Sequence, residues 1–197
     1  MSATDIPDQP LLARPKRADA RRNYEKVIVA AREAFAEGGA DTSLEEIARR
    51  AGVGIGTLYR NFPNRQALLE ATYVGEVEDL CRSAADLDGL EPWDALATWL
   101  HRFVGYLATK HALAQELLSY VERDSPLFSQ CRSALFAAGE PLLLRAQAAH
   151  AVRADTNIDE VIQMVGGITK IQSGDPAQIE RILDIALDGL RYRAPAS

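Results

Sequence analysis

The chain has 197 residues, 47% of them hydrophobic and 25% charged, with a net charge of −6. That balance excludes a wholly disordered polymer. The length allows one large domain or two small ones, whose core needs neither disulfide nor metal. The two cysteines, Cys81 and Cys131, give no disulfide framework and read as buried apolar fillers. The uncharged run Val161 to Thr169 is as long as any, far short of the ~20 apolar residues of a membrane span. The opening MSATDIPDQP lacks the basic start and apolar core of a signal peptide. A soluble, cytoplasmic protein with no membrane partner is therefore expected. Charge is uneven: residues 1–65 hold 11 Lys and Arg against 9 Asp and Glu, and the remaining 132 hold 11 against 19. Arg14, Lys16, Arg17, Arg21, Arg22 and Lys26 crowd the basic end, as either a solvated tail or a footprint for a polyanion.

Pro7, Pro10 and Pro15, with no apolar period around them, mark residues 1–20 as a disordered basic arm. From about Arg21, the residues Val27, Ile28, Ala31, Ala34 and Phe35 share one helical face, and Gly38-Gly39 stops that helix. Ser43 and Glu46 form a capping-box pattern before Ile47, Ala48 and Ala51, and Gly52 ends this short second helix. Val53 to Gly56 reads as a turn, and Thr57 to Phe62 as a third helix broken by Pro63. A fourth runs from about Asn64 to Ala85 with Leu68, Leu69, Tyr73, Val77 and Leu80 inward. Pro92 opens a long helix whose stripe is Trp93, Leu96, Ala97, Leu100, Phe103, Val104 and Leu107. Further helices are expected at about 111–122, 126–150, 157–172 and 176–192, with Asn157 and Glu160 repeating the capping box. No segment alternates as a strand should. The fold class is all-α: an N-terminal three-helix helix-turn-helix domain over 21–66, then a larger helical domain over 67–197.

Residues 43–62 fit a helix-turn-helix on physical grounds. The two helices must cross closely over a short turn. Ala48 is small at the approach, and Gly52 sits where the turn needs a positive φ. Ile47, Ala51, Val53 and Leu58 supply apolar contacts between the helices, which leaves Thr57, Tyr59, Arg60 and Asn61 outward as donors to phosphates or base edges. Two other readings stand beside this one. The glycines of Gly52-Val53-Gly54-Ile55-Gly56 evoke a dinucleotide loop, but a capped helix precedes them and the third comes one residue early. A plain helical hairpin with no nucleic-acid role also fits the pattern.

The stretch Thr42 to Leu69, TSLEEIARRAGVGIGTLYRNFPNRQALL, with the lead-in helix AREAFAEGG, resembles the DNA-binding domain of the tetracycline-repressor (TetR) family of bacterial regulators. The resemblance covers about residues 21–70. The segments PWDALATWLHRFVGYLATK and VRADTNIDEVIQMVGGI are similar to the C-terminal domain of SbtR-like actinobacterial members. Three positions depart from the family pattern: Gly54 stands for the usual Ser, Asn61 for His and Arg65 for Lys. The resemblance implies that Thr57, Tyr59 and Asn61 contact the major groove or its phosphates, and that Arg60 reads bases. It implies further that Arg65 holds a phosphate, that Ser43 sets helix amides beside another, and that Arg21 and Arg22 reach the backbone or minor groove.

The resemblance also implies a ligand-responsive transcriptional regulator, read as a repressor, that binds double-stranded DNA and is released by a small-molecule effector. No cofactor and no metal is implied. The long helix after Pro92 has a second face through Trp99, Phe103 and Tyr106; with Phe136, Gln147 and Met164 these residues are candidates to line the effector cavity, against ordinary core packing. His101, His111 and His150 lack metal-ligand spacing. A homodimer through the two C-terminal helices is expected: Ile179, Ile182, Leu183, Ala186, Leu187 and Leu190 form one stripe, and Val161, Ile162, Val165 and Ile168 another. An all-α interaction protein that has lost DNA binding is the main alternative. A small helical enzyme is the second, for which no nucleophile elbow or phosphate loop is found.

Overall fold

Eight helices are found among the described residues: α1 (Ala18–Gly38), α2 (Leu44–Arg50), α3 (Ile55–Asn61), α4 (Arg65–Ala85), α5 (Pro92–Leu117), α6 (Pro126–Ala148), α7 (Ile158–Ile168) and α8 (Pro176–Asp188). The computed structural model describes residues 11–39, 42–122, 124–171 and 175–191. The first ten residues of the expected arm, and the expected helix ends at 172 and 192, lie outside them. The only β pairing among the described residues is an isolated antiparallel bridge between Val152 and Arg191. The class is all-α, as the sequence implies.

Several boundaries differ from expectation, and three have a clear local reason. α1 starts at Ala18, with Asp19 in its first turn, where a carboxylate suits the positive end of the helix dipole. The expected helices after Pro92 and over 111–122 are one continuous helix, α5; the residues between them include no Gly or Pro to stop it. α6 stops at Ala148 although no glycine follows. His150 adopts φ 53°, and the Ala151 amide donates to the Ala146 carbonyl at 2.9 Å, which closes the helix end around a left-handed residue.

By contacts the chain divides into two units, Pro7–Glu78 with Thr109–Arg132, and Asp79–Ala108 with Ser133–Ser197. In the first, α1, α2 and α3 pack on one another around Val27, Ala31, Phe35, Ile47 and Leu58. Thr42 is buried there with its hydroxyl donating to the Ala34 carbonyl at 2.9 Å. A Cβ at Gly38 would lie 2.6 Å from that hydroxyl oxygen, so only glycine fits at the end of α1. In the second unit Trp99 is fully buried, and its ring meets the backbone of α6. A Cβ at Gly139 would stand 2.7 Å from the indole.

The C-terminal helices correct the stripe expected at the dimer seam. α7 and α8 pack on each other, and Val161, Val165, Ile168, Leu183, Leu187 and Leu190 are buried within their own chain. They are core residues. Ile162, Ile179, Ile182 and Ala186 are only half-buried, and Ile185, absent from the expected stripe, is 73% exposed.

Candidate nucleic-acid interface

The α2–α3 pair is set by its turn. The Ala51 amide donates to Ile47 and the Val53 amide to Ala48, and Gly52 takes φ +66°, a conformation that other residues adopt at a cost. Gly54 precedes α3 as its cap residue and, lacking a side chain, leaves the helix start without a side-chain cap. Leu58 is sealed against the head's core, and the Phe62 ring lies tilted against Tyr24 with centroids 4.8 Å apart. Leu58 faces the core, and Gly56, Tyr59 and Arg60, about 100° or more around the helix from it, face solvent; Ile55, only about 60° from Leu58, is exposed at the edge of the buried side as the first residue of the helix.

The start of α2 corrects one expectation. Ser43 caps it as foreseen, its hydroxyl accepting from the Glu46 amide at 3.1 Å. The reciprocal half of the box is not made. The Glu46 carboxylate is captured by Arg49 at 2.7 and 2.8 Å and by Arg50 at 2.8 Å, and these hydrogen bonds lower its pKa to about 2. Arg50 also reaches Glu37 at 2.7 Å.

The outward residues of α3 are ordered by its own backbone. The Arg60 guanidinium donates through Nε to the Gly56 carbonyl and through Nη2 to the Thr57 hydroxyl, both at 3.1 Å. Asn61 donates its amide to the Thr57 carbonyl at 2.8 Å. Tyr59 is 44% exposed. Arg21 and Arg22 are exposed on α1, each beside an acid of its own helix: Arg21 is 4.0 Å from Glu25, and Arg22 pairs with Asp19.

Arg65 is placed differently from the other candidates. Its guanidinium is half-buried, donates to Glu116 at 2.6 Å and to the carbonyls of Thr42 and Gly39, and lies over the Phe35 ring at 5.1 Å. It ties the loop before α2 to α5. The arm carries a second tie, since the Leu11 amide and the Arg14 guanidinium both donate to the Glu78 carboxylate. Glu78 and Glu116 were invisible as partners in the sequence, because each lies more than 50 positions from the residue it binds. Ile55 was also missed. Expected in a turn, it begins α3 and is 38% exposed. Its place as the first residue of a short helix after Gly54 is the signal that could have found it.

The six effector-site candidates all fall in the second unit, in unequal settings. Trp99 is sealed, its indole N–H donating to the Leu80 carbonyl at 3.2 Å and its ring stacked on Phe103 at 5.7 Å. Phe103 meets Tyr106 at 5.8 Å. Phe136 and Met164 are half-buried. Gln147 is engaged in structure, since its amide donates to the carbonyls of Arg153 at 3.0 Å and Thr156 at 2.9 Å and so pins the loop before α7.

Comparison with known proteins agrees with this geometry. Residues 27–72 match the family described as bacterial regulatory proteins, tetR family. Residues 91–192 match the transcriptional regulator SbtR-like C-terminal domain. The chain is 41% identical to the TetR transcriptional regulator SCO0520 of Streptomyces coelicolor, with a TM-score of 0.78 over 87% of this chain and 99% of that one. A TetR transcription regulatory protein of Mycobacterium vanbaalenii is 34% identical, with a TM-score of 0.76 over 90% and 99%. The HTH-type transcriptional regulator SAR0097 of Staphylococcus aureus is 35% identical over 77 residues, which span 38% of this chain but only 40% of that relative.

Proposed function

The chain belongs to the TetR family of transcriptional regulators and is of SbtR-like type; from this premise we propose that it holds a palindromic operator as a homodimer and releases it when a small-molecule effector binds the larger helical domain. The observation that carries this reading is the outward row of α3, where Tyr59 and Arg60 stand exposed beyond a turn set by Gly52. Arg60 is the base reader: two of its N–H groups rest on Gly56 and Thr57, which leaves the far edge of its fork for a guanine or a phosphate. Thr57, Tyr59 and Asn61 position the helix on the backbone, and Ser43, Arg21 and Arg22 add contacts at the rim. Arg65 acts first as a structural tie and reaches a phosphate only by loosening Glu116.

The second copy docks on the exposed face of α8 through Ile179, Ile182, Ile185 and Ala186, with Ile162 of α7 beside them. A two-fold pair of this kind presents its recognition helices to half-sites about 34–36 Å apart. The effector lodges against Phe103, Tyr106, Phe136 and Met164, with Trp99 and Gln147 as framework. The protein acts as a repressor in the cytoplasm and performs no catalysis. The test is fluorescence anisotropy at physiological salt, with DNA flanking its own gene against scrambled DNA. Preference for the flanking DNA is expected; equal affinity for both would sink the proposal.

A further inference from the structure

We propose that Ile55 is a specificity-determining residue of α3, reading the C5-methyl group of one thymine in each half-site. This inference rests on the operator-binding reading above and adds to it a residue and the base it selects.

The first turn of α3 is unusually bare. Its residues are Gly54, Ile55, Gly56 and Thr57, and a Cβ built on Gly54 or Gly56 meets no heavy atom within 4 Å. The surface around Ile55 is therefore open backbone, which allows another molecule to approach closely. The Thr57 hydroxyl accepts from Arg60, and Ile55 is the largest and most exposed apolar group of this turn. It lies 38% exposed, one turn before Tyr59 at 44% exposed and on the same flank of the helix, while Leu58 and Phe62 take the buried side. Arg60 stands on the neighbouring row.

An exposed isoleucine among donors points to a polyanion with one apolar feature. Isoleucine neither donates nor accepts a hydrogen bond, so it cannot read the polar edge of any base. The major groove displays one apolar group that distinguishes a base pair, the thymine methyl. Covering about one methyl-sized group is worth roughly a fourfold factor in affinity, and about fifteenfold over the two half-sites of a palindrome.

The experiment uses the full chain. A preferred site is first selected from random duplex DNA. Each thymine is then replaced singly by deoxyuridine, which lacks only the methyl group, and binding is measured by anisotropy for the wild type and for Ile55→Ala. One thymine per half-site is expected to show a fourfold loss with the wild type and none with Ile55→Ala, with other positions unchanged. Ile55→Gln is expected to move the selected base at that position from thymine to adenine, because glutamine pairs with the adenine edge. If a site is selected but both proteins respond alike to every deoxyuridine, this inference falls and operator binding stands. If no site is selected, operator binding falls and takes the inference with it.

Discussion

α3 and α8 show the same departure from a simple amphipathic helix. Each buries one apolar row, Leu58 in α3 and Leu183 with Leu187 in α8, and each leaves an isoleucine in water, Ile55 and Ile185. The neighbours differ. Around Ile55 stand bare glycines, Thr57, Tyr59 and Arg60, a surface of donors that suits a nucleic acid. Beside Ile185 stand Ile182, one turn back, and the exposed Arg181 and Asp188, an apolar spot rimmed by charge that suits a protein face. Exposure alone does not say what covers a residue; the chemistry beside it does.

The largest expected effect separates the two faces of α8. Leu187 is 3% exposed, so Leu187→Glu places a charge in the core and is expected to cost about 4 kcal/mol or more by thermal denaturation. Ile185→Glu, at a residue 73% exposed, is expected to lower the melting far less, by no more than the stability the dimer contributes. It should instead shift light scattering toward the 21.5 kDa monomer. Equal effects on melting from both changes would erase the distinction between core row and docking row.

Gly139 sharpens the view of the domain that α8 belongs to. Gly139→Ala forces a methyl to within 2.7 Å of the Trp99 ring, and a loss of about 1–3 kcal/mol is expected, with a change in tryptophan fluorescence. An unchanged melting temperature would mean that the indole has room to move.

Two arginines five residues apart test the α3 surface in the same way. Arg65→Ala strands the Glu116 carboxylate and is expected to destabilise the fold by about 1–3 kcal/mol. Arg60→Ala is expected to leave denaturation within about 0.5 kcal/mol of the wild type while relaxing the choice of base at one position. Denaturant melts and site selection on both variants check the contrast. A smaller effect is expected at the end of α6, where His150→Gly relieves a positive φ and should raise stability by about 0.5–1 kcal/mol in the same melts.

The smallest effect is electrostatic. The folded pKa of Glu46, about 2, lies below its ordinary value of 4.5, so its contribution is present above about pH 4.5 and is lost as pH falls toward 2. Glu46→Gln is expected to flatten the dependence of melting temperature on pH across that window. High salt should weaken the effect, because the group is exposed.

The helical class and the turn between α2 and α3 were legible from the residues alone. Gly38, Gly39 and Gly52 punctuate α1 and α2 because φ and close approach are local properties of a residue. The motif Thr42 to Leu69 carried the family. Of the four residues read as outward, Tyr59 and Arg60 stand exposed, while Thr57 and Asn61 are half-buried, with Asn61 bonded to the Thr57 carbonyl. Asn157 and Glu160 closed their capping box as read, at 3.0 and 3.1 Å. Where a local signal met a competitor, the tertiary structure decided. Ser43 and Glu46 carry the same spacing, yet the Glu46 carboxylate went to Arg49 and Arg50, whose forks offer stronger charged bonds than one backbone amide. The sequence showed an apolar stripe on α8 but not which half faced its own core, since both halves are equally hydrophobic. Folding buried Leu183 and Leu187, left Ile179 and Ile182 of the stripe half-buried, and left Ile185, outside the stripe, exposed. Arg65 was legible as a cation but not as a tie, because its partners Glu116 and Gly39 lie 51 and 26 residues away, and only folding brings a distant carboxylate within 2.6 Å.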